Sequence, residues 1–323
     1  PLSMRIARPG ASIFYSTHGS AFDKDGKSMP CITFIHGAGG NCLTWWQNVP
    51  YFASTYFVIL LEMRGWGRSN LLPLLDEEGN ALDNESHIYY AGDVTAIWDL
   101  EKVGEAFLVG HSRGGVYLTR VAIEAPARVL SLFYSNTVMG FTDVRTLPSE
   151  SQLVQDFFSQ AWEADGGRKM EIALRMRASQ PFLTEDATAR VSLSYEERCA
   201  GYHNIFQVES KELAFLQRLI HLYNEQDINQ MKSIIAKDIK SSSLCATDEL
   251  RETYTGPVRF VTTHCDGAIF WEVVEYVAAK LGGDTSVHCL DSMTANHNPM
   301  FEVATEYNLM LDTLLRQVRE SLR

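Results

Sequence analysis

No stretch of this chain supplies the roughly 18 consecutive apolar residues that a membrane-crossing helix requires. None of its six cysteines (Cys31, Cys42, Cys199, Cys245, Cys265, Cys289) falls in a C-x-x-C pair. A chain of 323 residues buries enough surface to fold without covalent staples, so reduced thiols are expected. His and Cys never stand at zinc-ligand spacing, and no metal is expected. The G-x-x-x-x-G-K-[ST] phosphate loop is absent, and Gly37-x-Gly39 is followed by Cys42 where a dinucleotide loop needs a third glycine. No basic cluster occurs, and Asp plus Glu number 40 against 28 for Lys plus Arg, a net charge of −12. That balance excludes nucleic acid and an anionic membrane as expected partners. The opening Pro-Leu-Ser-Met-Arg has neither the basic region nor the apolar stretch of a signal peptide. A cytoplasmic location is therefore expected, the sequon at Asn84 reads as a chance match, and residues 1–3 are set aside from the fold reading.

What is present is ordinary globular composition, 46% hydrophobic and 21% charged, enough for a sizeable core. Short apolar runs alternate with helical patterns, the signature of a parallel sheet flanked by helices. Strands are expected at 12–17, 31–35, 56–61, 106–109, 129–134, 258–262 and 286–290. Helices are expected at 43–53, 86–102, 116–125 and 301–318. Glycine-rich turns follow three of the strands, at 36–40, 64–69 and 110–115. From about 139 to 250 the strand rhythm stops and helical spacing takes over. The expected organisation is a core of residues 1–138 plus 251–323, interrupted by a helical cap at 139–250. The cap aromatics, such as Phe157 and Trp162, read mainly as cap core.

Gly110-His111-Ser112-Arg113-Gly114 matches G-x-S-x-G directly between a strand and a helix. That context makes Ser112 a candidate nucleophile on a sharp turn, with Gly110 and Gly114 letting strand and helix pass closely. A serine hydroxyl needs a base. His297, in a loop past the last strand, is the candidate; His288 within a strand and His264 at a strand end read as structural. The base in turn needs an acceptor to orient it. Asp266 follows a strand and so reaches the same rim as Ser112. Asn136 and Asp291 are weaker candidates. Trp45, Trp46 and His111 are weaker candidates still, for lining a substrate pocket.

Ser112, Asp266 and His297 thus occur in the chain order Ser…Asp…His, and three turns match one fold in particular. With the turns His36-Gly37-Ala38-Gly39-Gly40, Arg64-Gly65-Trp66-Gly67-Arg68-Ser69 and Gly110-His111-Ser112-Arg113-Gly114-Gly115, the sequence resembles the α/β-hydrolase fold superfamily over residues 10–137 and 256–320. It departs from the pattern at Glu62, where many relatives have Asp, and after Asp266, where a Pro is often found. The resemblance implies an α/β fold with a mostly parallel central sheet and a cap after the strand ending near Asn136. It also implies an oxyanion hole from the backbone N–H groups of Ala38 and Arg113, with Gly37, Gly39 and Gly40 supporting the turn.

The expected activity is hydrolysis of an ester or related acyl bond in a small to medium, largely apolar substrate, through an acyl-enzyme and without a cofactor. Relatives that cleave C–C bonds, lactones or amides with the same residue types remain open, as does a ligand-binding receptor on the same fold. The sequence leaves the oligomeric state open.

Overall fold

The computed structural model describes residues 2–38, 40–137, 246–263, 266, 269, 271–290, 295 and 297–322. The expected cap therefore lies outside the described residues up to position 245, together with Gly39, His264, Cys265 and Asp291.

Nine strands among the described residues form one sheet. They are β1 (Leu2–Arg8), β2 (Ala11–His18), β3 (Cys31–Ile35), β4 (Phe57–Leu61), β5 (Asn70–Leu71), β6 (Ala106–His111), β7 (Val129–Ser135), β8 (Val258–Thr263) and β9 (Thr285–Leu290). Their spatial order is β1-β2-β4-β3-β6-β7-β8-β9, with β5 beside β2. The stretch from β4 to β9 is parallel throughout, while β1 and β2 add an antiparallel edge.

The apolar runs explain this placement. β3, β4 and β6 are buried along their whole length, as strands covered on both faces must be. Alternate side chains feed two separate cores. Cys31 and Ile35 join the core under α2 (Tyr90–Leu100), α3 (Gly114–Glu124), α4 (Ala246–Thr253) and α5 (Trp271–Leu281). Ile32 and Phe34 join the opposite core, under a 3-10 turn (Cys42–Trp45), α1 (Val49–Phe52), α6 (Pro299–Glu302) and α7 (Ala304–Ser321).

Several expectations need correction. Leu2 and Ser3 are not extraneous to the fold: they pair with Thr17 and Ser16 in the β1–β2 ladder. The single helix expected at 43–53 is a capped 3-10 turn followed by the short α1, with Pro50 in its first turn. Proline has no N–H to continue a helix from the preceding turn. The last helix is likewise broken at Val303, whose φ of −139° is not helical. α4 straddles the expected boundary at 250/251, and its Leu250 is buried in the core of the sheet domain. α5 had no counterpart in the sequence reading.

One buried ion pair ties the turn after β4 to the helix layer. The Arg64 guanidinium donates to both carboxylate oxygens of Asp93 at 2.6 and 3.0 Å, and to the carbonyl of Pro9 at 2.5 Å. The two side chains are 1% and 0% exposed. Burial outweighs the attraction of Arg64 and holds the Asp93 carboxyl above its usual range. Removing one partner of a fully desolvated pair strands the other charge. Asp93→Ala is therefore expected to lower unfolding stability by about 3–5 kcal/mol in urea titration. A loss below about 1 kcal/mol, the range of surface pairs, would contradict this role.

Candidate active site

Three strand ends carry the candidate residues to one rim of the sheet. β6 ends in His111, and the next residue, Ser112, holds φ at +49°. For a side chain larger than glycine this left-handed backbone is strained, and it is the conformation of a sharp strand-to-helix turn. The flanking glycines show why the turn can close. A Cβ on Gly110 would stand 2.5 Å from Leu118 Cδ1, and one on Gly114 would stand 2.5 Å from the carbonyl oxygen of Ile35. Helix α3 therefore crosses directly over β3 and β6, and Ser112 projects from the crossing. It is half-buried.

Asp266 lies past the end of β8 and is fully buried. His297 Nδ1 is 3.0 Å and 3.1 Å from its two carboxylate oxygens. A carboxylate accepts, so Nδ1 carries the proton and Nε2 keeps its lone pair. Asp266 also accepts from the Ile269 backbone N–H at 2.9 Å and from Asn136 Nδ2 at 2.9 Å. Burial pushes the Asp266 carboxyl up. The neighbouring His297 and these hydrogen bonds more than offset it and hold it below the usual carboxylate range. Burial likewise pulls His297 down, but the charge and hydrogen bond of Asp266, with Glu302 beyond, leave it raised.

Asn136 enters differently from the sequence reading, which weighed it as an acceptor for the base. It donates to Asp266 instead, and it does so from a backbone φ of +48° directly after β7. Its amide orients the acid rather than the imidazole.

The glycine turn after β3 approaches the elbow closely. A Cβ on Gly37 would come within 2.9 Å of Ser112 Cβ. The fully buried His36 holds this turn: its ring meets the Gly37 carbonyl at Nδ1 (2.7 Å) and the Met63 N–H at Nε2 (3.1 Å). Those partners fix a neutral ring, and burial brings its pKa down to about 4. Sequence reasoning gave His36 no role, because its Met63 partner depends on two strands lying side by side. Gly40 closes the turn onto the Gly37 carbonyl at 3.0 Å. Ala38 is exposed at its tip. Arg113 stands at the N-terminal cap of α3, its side chain buried and bonded to Tyr90 Oη at 2.9 Å. The departure at Glu62 has a structural use. This fully buried carboxylate accepts from the Cys42 N–H at 3.2 Å and the Arg68 N–H at 2.5 Å, joining the turns after β3 and β4.

Trp45 and Trp46 both pack on the core. Trp45 is fully buried against Phe34, with ring centroids 4.8 Å apart, and Trp46 packs on the same core. The capped 3-10 turn folds this segment down onto the sheet. His111 is buried as well. His288 lies in β9, bonded to Ser286. Among the described residues no group of three or more His, Cys, Asp or Glu stands ready to hold a metal ion.

The two histidines on the rim should titrate far apart. His297 is expected to take up its proton above the ordinary histidine value of about 6.5. His111, which burial drags to about 3, is expected to stay neutral at every pH above 5. Ring-proton NMR titration checks both. A His297 midpoint below the ordinary value would contradict the Asp266 pairing.

Comparison with known proteins agrees with this architecture. A family model described as the alpha/beta hydrolase fold matches residues 30–188. The chain is 36% identical over 111 residues to a pimeloyl-[acyl-carrier protein] methyl ester esterase of Legionella pneumophila, covering 33% of this chain and 37% of that protein. It is 34% identical over 122 residues to the dihydrolipoyllysine-residue acetyltransferase component of the acetoin cleaving system of Cupriavidus necator, covering 38% and 30%. These alignments thus span about a third of the curated relatives. A solved carboxylesterase structure from Nitrososphaera gargenis superposes with a TM-score of 0.63 at 16% identity, over 99% of this chain and 100% of that one. The chain thus shares the α/β-hydrolase fold, and its likeness to that family's model extends over residues 30–188.

Proposed function

We propose that this chain is a serine hydrolase that cleaves an ester or related acyl bond through an acyl-enzyme. The observation that carries the reading is the pairing of the buried Asp266 with the half-buried His297, near a serine held on a strained strand-to-helix turn. In this mechanism Ser112 Oγ attacks the substrate carbonyl while His297 Nε2 takes its proton. Asp266, already bonded to Nδ1, keeps the ring in the required tautomer and stabilises the imidazolium that forms. The tetrahedral oxyanion accepts from the N–H groups of Ala38 and Arg113. The second of these stands at the N-terminus of the 11-residue α3, where the helix dipole favours negative charge. His297 returns the proton to the leaving group. It then draws a proton from water, which releases the acid and frees Ser112.

Supporting evidence comes from the esterase named among the relatives and the carboxylesterase among the solved structures. The proposed substrate is a small to medium, largely apolar molecule, held between the core and a cap formed from within residues 139–245. The mechanism uses no cofactor. The proposed setting is cytoplasmic, in keeping with the free thiols of Cys31 and Cys42; no described helix is long and apolar enough to cross a membrane.

Ser112→Ala should lower kcat for p-nitrophenyl butyrate by about 10⁴-fold or more, because a triad acts as a unit. Its denaturant midpoint should stay close to that of the parent protein. Retention of more than about a tenth of the activity would refute the assigned nucleophile. The same assay run on a lactone, an anilide and a vinylogous diketone reads out which bond the site prefers.

A further inference from the structure

We propose that His111 is a positioning residue whose Nε2–H clamps the backbone carbonyl of His297 and so holds the base over the elbow. His111 Nε2 lies 2.7 Å from the His297 carbonyl oxygen, across 186 residues of chain. A carbonyl only accepts, so Nε2 bears the proton. The two rings are 4.8 Å apart between centroids and tilted by 52°. The opposite edge of the His111 ring lies against the glycine turn: a Cβ on Gly37 would stand 2.6 Å from Nδ1. One buried ring thus touches the base loop and the turn after β3, and its own backbone is the residue before Ser112.

The clamp answers a geometric need. His297 lies between β9 and α6, outside any helix or strand that would fix its backbone. Asp266 grips the imidazole at Nδ1, which sets the ring's direction but not where its Cα sits. A second hold on the backbone sets that position, and small displacements of a base are costly in rate. Histidine suits the task because it offers a directional N–H without charge. A lysine or arginine here would place a permanent positive charge beside an imidazole that must itself become positive. Burial, together with the neighbouring His297, favours the neutral form of His111.

The inference rests on His297 acting as the base, and its test separates the two claims. His111→Phe, His111→Gln and His111→Asn are compared with the parent protein by p-nitrophenyl butyrate kinetics and by NMR of the His297 Nδ1 proton. Gln offers a side-chain N–H near the Nε2 position, whereas Asn is too short and Phe has none. Kcat is expected to fall by about 10–100-fold in the Phe and Asn variants with KM nearly unchanged, and to recover to within about fivefold in Gln. The Nδ1 proton should exchange faster in Phe and Asn than in Gln. A kcat within twofold of the parent in Phe and Asn, with the Nδ1 signal unmoved, overturns the clamp, as does a Gln variant no better than Asn. If the parent protein lacks turnover while the Nδ1 signal still follows this pattern, the clamp stands and the role of His297 as base falls.

Discussion

A residue with φ of +49° cannot continue either the strand before it or the helix after it, and at Ser112 the chain is forced into that conformation by what surrounds it. β6 is buried on both faces, and α3 packs across it so closely that Gly110 and Gly114 have no room for a side chain. The strained turn persists because the two cores over-determine it. Parallel pairing of β3, β6, β7 and β8 then brings the ends of four strands to the same rim. The glycine turn, the serine, Asn136 and Asp266 all follow from that one alignment.

Several polar groups buried at this rim bond one another. His36 spans the Gly37 carbonyl and the Met63 N–H, His111 meets the His297 carbonyl, and Asp266 gathers donors from His297, Ile269 and Asn136. Burial disfavours charge, so the two supporting histidines are held neutral, with pKa values near 4 and 3. The ionised carboxylate survives because its donors offset its desolvation. The outcome is one imidazole held at Nδ1 by a charged partner. Glu62 and the Arg64–Asp93 pair extend the same pattern outward, each tying a turn to a neighbouring element.

Much of this is legible in the sequence, for identifiable reasons. Cys31–Ile35 and Phe57–Leu61 read as strands because a strand covered on both faces is apolar at every position. Ser112 stands out because the steric demand of its turn is met by glycines at fixed offsets. Asp266 and His297 are legible because each follows a strand in chain order. The edge strand β1 was missed because residues 1–3 were set aside, which left its apolar alternation at Met4 and Ile6 too short to read. Trp45 was left between pocket and core because an aromatic after a glycine turn looks the same facing either one. The contacts of His36, His111 and Asn136 were hidden for another reason: each joins groups brought together only by the sheet.

The central claim is that this rim activates one serine. Intact-mass analysis after treatment with a fluorophosphonate, on the parent protein and on Ser112→Ala, tests it most directly. The account predicts a single covalent adduct on the parent protein, mapped to Ser112, and none on the variant. A folded parent protein that forms no adduct, or a variant that is labelled equally, would contradict it.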